Sequence, residues 1–326
     1  MPHTAAVIAE HACAPEVRDR ELTATADGTL IAVAAAPITP LDVLCASGTS
    51  YFGPPALPYV PGVQGVGRVL SSRALKRGTP VWFATEAGMR AGDGSLAGRC
   101  LARDTDVVAL PAEADLLLVA ALGLSAIAAW MSLTWRGGLQ PGETVVVLGA
   151  GGVVGQVAVQ AARLNGAGRI VAACRFPAAA ARARELGADE VVQLDTTDVA
   201  ELGERFARAV EAGADLVVDP LFGPPAGAAI RVLKPTGRLV NLGGSAAPTA
   251  TFDSATLRGR SLQLLGYTNN ALTPEQRATA LLAVVGHAVA GRMTVDYDRV
   301  ALADVAEAWS RQAAGTQARR FVVTMP

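Results

Sequence analysis

The apolar positions change their rhythm near residue 120. Before it, TLIAVAAAPITP, GVGRVLSS, TPVWFAT and VVALP are short β-rich runs, and SGTSYFGPPALPYVPG is a Pro/Gly loop. Brief runs divided by Gly and Pro predict a small antiparallel barrel or sandwich. After it, TVVVLG leads into the helical spacing of VVGQVAVQAARLNG, and RIVAACR follows. The alternation continues through FPAAAARARELG, DEVVQLD, VAELGERFARAVEAG, ADLVVDP, a helix near GAAIRVLKPT, RLVNLGG and SLQLLGY. Strand and helix in turn predict a parallel sheet with helices on both faces. The closing strand RRFVVT is expected to return to the first domain and complete its sheet.

Composition adds limits to this picture. The 326 residues suffice for two domains, and 51% hydrophobic against 17% charged residues supplies a large core without disorder. A net charge of −1 gives no basic excess, so no nucleic-acid partner is expected. His3, Glu10 and His11 interrupt the first residues, which argues against a secretory signal. The stretch LLLVAALGLSAIAAWMSL is about long enough to span a membrane but contains Gly123, Ser125 and Ser132, so a buried helix and no membrane partner are expected. Four scattered cysteines suit the reduced thiols of a cytoplasmic protein.

Candidate chemistry centres on GAGGVVG. Gly149, Gly151 and Gly152 lie between an apolar strand and an amphipathic helix that opens with Val153 and Val154. Val154 stands where a strict G-x-G-x-x-G places its last glycine, yet the strand–loop–helix context fits a dinucleotide pyrophosphate on a helix N-terminus. The alternative is an ordinary tight turn. An NAD site usually has an acidic residue at the end of the next strand; here Arg175 stands there, and its guanidinium suits the 2′-phosphate of NADPH. An acid is also what a methyltransferase generally needs at that strand end, and no Tyr-x-x-x-Lys of a short-chain dehydrogenase is present.

The order of PITPLDVLCASG, PALPYVPGVQGVGRV, GAGGVVGQVAVQAAR, ELGADEVV, DLVVDP, LKPTGRLVNLGG, LLGYTNN and RRFVVTMP resembles the medium-chain dehydrogenase/reductase superfamily, in its zinc-independent quinone-reductase-like branch. The resemblance runs along essentially the whole chain. It implies an α/β fold: a doubly wound Rossmann sheet binding NADP at 119–291, and a GroES-like β-rich catalytic domain at 1–118, completed by about 292–326. It also implies an active site in the cleft between them and a homodimer. The positions of the catalytic-zinc ligands of zinc-dependent relatives are occupied by Thr39, Val63 and Gln64, and the cysteines of a structural zinc lobe are missing, so no metal is expected.

Without zinc, hydride addition to a conjugated carbonyl needs little beyond alignment and charge stabilisation. The reading is therefore an NADPH-dependent, metal-free reductase of a small hydrophobic quinone or α,β-unsaturated carbonyl. A catalytically silent NADP-binding sensor or partner protein and a zinc-free alcohol dehydrogenase stay open. Tyr51 and Thr39 are the catalytic candidates, with Tyr51 equally readable as a loop aromatic. By resemblance, Leu242 and Gly243 lie along the nicotinamide, Tyr267 and Asn269 line the same cleft, and Arg320, or Arg319 in its place, reaches the phosphates. Ala128 and Gly98 depart from the family pattern, at the places of a nicotinamide-contacting Thr and of a Glu.

Overall fold

The computed structural model describes residues 2–22, 28–315 and 319–326. The chain forms two compact units: residues 1–123 with 285–326, and residues 124–284. The first break falls inside a helix at Gly123, whose φ of 32° and ψ of −130° are not helical. A side chain there would collide with the amide of Gln64.

The first unit begins with β1 (Pro2–Val7), β2 (Glu16–Glu21), β3 (Thr29–Pro37), α1 (Pro40–Ala46), β4 (Gln64–Ser71), β5 (Pro80–Ala84), β6 (Arg99–Ala102) and β7 (Val107–Ala109). Helix α2 (Leu116–Met131) leads out of it and continues as a π-helical turn, Ser132–Arg136. This stretch is apolar and long enough to cross a membrane, but 67% of its most apolar window is buried inside the protein.

The second unit alternates β8 (Thr144–Leu148), α3 (Val153–Leu164), β9 (Arg169–Cys174), α4 (Pro177–Glu185), β10 (Glu190–Gln193), α5 (Val199–Val210), β11 (Ala214–Asp219), α6 (Gly223–Ala229), β12 (Leu233–Asn241), α7 (Ser254–Gly259) and β13 (Gln263–Gly266). Its six strands are all parallel, in the order β10-β9-β8-β11-β12-β13. The first strand of the unit thus has its second neighbour on one side and its fourth on the other. That order puts a topological switch between β8 and β11, where open parallel sheets bind ligands. Every residue of β8 is buried, as a central strand covered on both faces requires.

Helix α8 (Pro274–Val289) crosses back to the first unit, where β14 (Tyr297–Ala301), α9 (Val305–Ala313) and β15 (Arg320–Thr324) follow. The strand order there is β14-β15-β3-β4-β5-β7, with β6 also on β3. Strand β15 pairs antiparallel with β3, Val322 opposite Pro37. Trp82 and Phe83 of β5 are fully buried, and the Trp82 Nε1–H donates to Gln64 Oε1 at 3.0 Å.

Two elements differ from the sequence pattern. The helix expected near GAAIRVLKPT starts earlier, at Gly223, because prolines at its first turn suit helix entry; β12 already begins at Leu233. The pattern gave no sign of α8, yet Thr273 and Gln276 cap it reciprocally, at 2.9 and 3.2 Å.

All four cysteines are free thiols. Cys45, Cys100 and Cys174 are buried, and burial pushes Cys45 up to about 11 and Cys100 up to about 12. Cys13 alone is exposed. A thiol-disulfide reagent at mildly alkaline pH is therefore expected to titrate one fast thiol in the native protein and the remaining three only after denaturation. Two or more fast thiols would contradict the packing around α1, β6 or β9.

Candidate functional site

The glycine loop joins the buried strand β8 to α3. Gly149 takes a φ of +67°, a region that L side chains rarely adopt. Gly155, one turn into α3, approaches the loop so closely that a Cβ would collide with the carbonyl oxygen of Gly149 and lie 2.5 Å from Ala150 Cα. Gly152 caps the helix with extended backbone, and among the described residues no side chain caps it. The first amides of α3, those of Val153, Val154 and Gly155, have no acceptor within the helix and face outward with the positive end of its dipole. An uncapped N-terminus in a glycine cradle fits a pyrophosphate.

The other strand ends gather on the same carboxyl edge. Arg175 follows β9 directly; it is exposed, and its guanidinium lies 5.4 Å from the centroid of the Phe176 ring, which is itself 60% exposed. Asp219 ends β11 fully buried. Its Oδ1 accepts the amides of Leu221 at 2.9 Å and Phe222 at 2.8 Å, and its Oδ2 accepts Asn241 Nδ2 at 3.0 Å. Burial raises its pKa and these donors oppose the rise. Asn241 also donates to the Gly243 carbonyl at 2.8 Å, while the Leu242 amide donates to the Asp219 carbonyl at 2.9 Å. One buried carboxylate thus shapes both the turn after β11 and the half-buried turn Leu242–Gly243 after β12.

Past β13, the Tyr267 hydroxyl donates to Asn269 Oδ1 at 2.7 Å, and Asn269 Nδ2 donates to the Leu124 carbonyl at 3.0 Å. Burial raises the phenol pKa, so Tyr267 stays protonated. The Tyr267 amide donates to the Asn241 carbonyl at 2.8 Å, which links this loop to the neighbouring turn. The sequence-predicted residues of the second unit therefore share one edge of one sheet.

Those of the first unit fare differently. Thr39 is the N-cap of α1: its hydroxyl donates to Asp42 Oδ2 at 2.6 Å and accepts the Asp42 amide at 3.2 Å. Its hydroxyl proton is engaged inside a buried capping box. Arg320 is enclosed as well. The pairing of β15 with β3 sets it beside Ile38, where it is 6% exposed and donates from Nη1 to the Ile38 carbonyl at 3.0 Å. Burial lowers its pKa to about 10, against the pull of Asp42. Arg319 is exposed and pairs with Asp298 at 3.0 Å. Tyr51 stands out in solvent, 78% exposed, its ring 4.1 Å from that of Phe52.

Asp42 is the residue that sequence reasoning passed over. It is 1% exposed, and its Oδ1 accepts the amides of Gly62 at 3.1 Å and Val63 at 2.9 Å. A Thr-x-x-Asp box ahead of a short helix was its only sequence signal.

A catalytic zinc needs three protein ligands around an open position. Here Thr39 is tied to Asp42, Val63 is a buried apolar side chain, and the Gln64 carbonyl accepts from Trp82. Among the described residues no group of three or more His, Cys, Asp or Glu is placed to hold a metal ion. These residues do not fit zinc.

The six-stranded parallel sheet and its order give the second unit the architecture of a Rossmann fold, and the first unit is β-rich. Solved structures share this fold: a mycobacterial quinone oxidoreductase at TM-score 0.87 and 22% identity, covering 99% of both chains, and a mycobacterial protein complexed with NADPH at TM-score 0.85 and 22% identity, again over 99% of each. The sequence model of the zinc-binding dehydrogenase family matches residues 153–285. A quinone oxidoreductase of Lama guanicoe is 30% identical over 226 residues, 66% of this chain, and the match spans 63% of that relative's length. In sequence, therefore, the chain is similar to zinc-binding dehydrogenases and to quinone oxidoreductases over part of its length.

Proposed function

We propose that the protein is an NADPH-dependent, metal-free reductase that transfers hydride to a quinone or an α,β-unsaturated carbonyl. The observation that carries this is the uncapped glycine cradle at α3 with Arg175, in place of an acid, at the end of the next strand. The quinone oxidoreductase among the relatives and the NADPH complex among the structural neighbours support it.

The amides of Val153 and Val154 would hold the pyrophosphate, with Gly149, Gly151 and Gly152 keeping side chains out of its way. The Arg175 guanidinium, steadied over Phe176, would take the 2′-phosphate. When bound, NADPH supplies the hydride. The Asp219–Asn241 pair fixes the turn at Leu242 and Gly243, and Tyr267 with Asn269 frames the neighbouring loop. Of the two candidate donors to the acceptor's oxygen, Tyr51 has its hydroxyl in solvent and Thr39 does not.

Mixing the protein with NADPH and a panel of quinones and enones, and following the nicotinamide absorbance, tests the reaction. NADPH bound but never oxidised across the panel would replace the reductase by a sensor. For the cofactor, Arg175→Ala is expected to raise the KM for NADPH by about 10- to 100-fold, the worth of a charge-assisted pair, and to leave that for NADH within about twofold. Equal effects on both would remove Arg175 from 2′-phosphate recognition.

A further inference from the structure

An open groove of 460 Å³ lies at the carboxyl end of β13, lined by Trp135, Arg136, Gly266, Tyr267, Thr268 and Ala271. Trp135 is 44% exposed and meets Tyr267 nearly at a right angle, with ring centroids 6.2 Å apart and planes at 73°. Two rings in that arrangement offer a face and an edge to a flat guest. Arg136 is exposed, and its Nε donates to the Gly266 carbonyl at 2.9 Å, which holds the guanidinium against the groove. Among the described residues no carboxylate pairs with it, and none lines the groove. Its two terminal nitrogens thus present donors in a fork matched to a carboxylate or sulfonate. Arg238, which donates to the adjacent Gly137 carbonyl, contrasts with it: it is bidentate on Glu143 at 2.6 and 2.7 Å.

We propose that this groove binds a flat aromatic ring carrying an anionic group, the ring against Trp135 and Tyr267 and the anion on Arg136. The inference rests on the reductase reading and names its acceptor class: an aromatic quinone with a carboxylate or sulfonate substituent. Tyr267 belongs both to this groove and to the loop beside Leu242 and Gly243, so an acceptor held here adjoins the strand-end residues already described.

The test separates binding from turnover with redox-silent probes. Naphthalene-2-sulfonate and the neutral 2-naphthalenemethanol are titrated by calorimetry without NADPH, into the protein, Arg136→Gln and Trp135→Ala. The sulfonate is expected to bind about tenfold more tightly than the alcohol. Arg136→Gln abolishes that difference, and Trp135→Ala weakens both probes. Circular dichroism confirms that each variant is folded, and Arg136→Lys, which keeps the charge, restores part of the preference. Equal affinities in the unaltered protein, or a preference that survives Arg136→Gln, overturn the proposal. A second arm compares 1,2-naphthoquinone-4-sulfonate with 1,2-naphthoquinone as NADPH-dependent acceptors, with a lower KM expected for the sulfonate. Probe binding without oxidation of NADPH by either quinone leaves the groove and removes the reductase; oxidation with no preference for the sulfonate does the reverse.

Discussion

Gly152→Asp is expected to abolish NADPH binding while leaving the protein as stable as before, or slightly more so. The two effects have opposite signs for one physical reason. Gly152 is the N-cap of α3 with φ −85° and ψ 167°, a conformation open to any residue, and a Cβ there meets nothing nearer than Gly149 O at 3.7 Å. Aspartate is among the best N-cap residues and would satisfy amides that no side chain now caps, a gain of a few tenths of a kcal/mol over glycine. That carboxylate then occupies the place proposed for the pyrophosphate. Like charges about 4 Å apart cost about 4 kcal/mol at an effective dielectric of 20, so a loss of 100-fold or more in affinity is expected. High salt relieves part of it. Calorimetric titration with NADPH and a thermal melt measure both sides. Unchanged affinity would place the pyrophosphate elsewhere. Gly155→Ala makes the contrast: alanine favours helices, but its Cβ would meet the Gly149 carbonyl, part of the backbone, so the melt itself is expected to drop.

The two glycines show which parts of this protein are legible in sequence. A run such as TVVVL followed by glycines and an amphipathic helix announces β8, the loop and α3, because each signal is local. Arg175 is legible for the same reason, since its place follows from counting to the end of the next strand. The settings of Thr39 and Arg320 are less legible, because they involve contacts distant in the chain. Arg320 acquires its neighbour Ile38, 282 residues away, only through the pairing of β15 with β3. The Thr39 hydroxyl is engaged by Asp42, whose own importance comes from backbone amides 20 and 21 residues on, where no side-chain identity marks the contact. The Trp135–Tyr267 groove is of the same kind. Its rings stand 132 positions apart in the chain and meet only once the sheet is assembled.

Asp42→Ala is expected to destabilise the protein by about 3–5 kcal/mol, more than any other single side-chain deletion in α1, read as a shift in the urea midpoint. The carboxylate is buried against Arg320 and accepts four hydrogen bonds, from the Thr39 amide and hydroxyl and from the amides of Gly62 and Val63. Its removal leaves two buried amides without their acceptor and takes a compensating negative charge away from the buried Arg320. A buried ion pair can often be replaced by apolar residues without loss, but only where charge is all that the pair contributes. Here the Gly62 and Val63 amides need an acceptor whatever stands at 320. Arg320→Met should therefore cost less than Asp42→Ala, and combining the two should not restore stability. The arginine variant carries a further signature. Burial already raises the Asp42 pKa above its ordinary 3.8, and Arg320 is among the groups that hold it down. Without Arg320 the folded-state pKa climbs further. The folded state then binds more protons than the unfolded one between the two pKa values, so stability falls as pH rises through that window. Arg320→Met should be closest to the unaltered protein in acid and furthest from it at neutral pH. A pH-independent gap between their urea midpoints would show that Arg320 acts on the fold through the Ile38 carbonyl and not through the Asp42 charge.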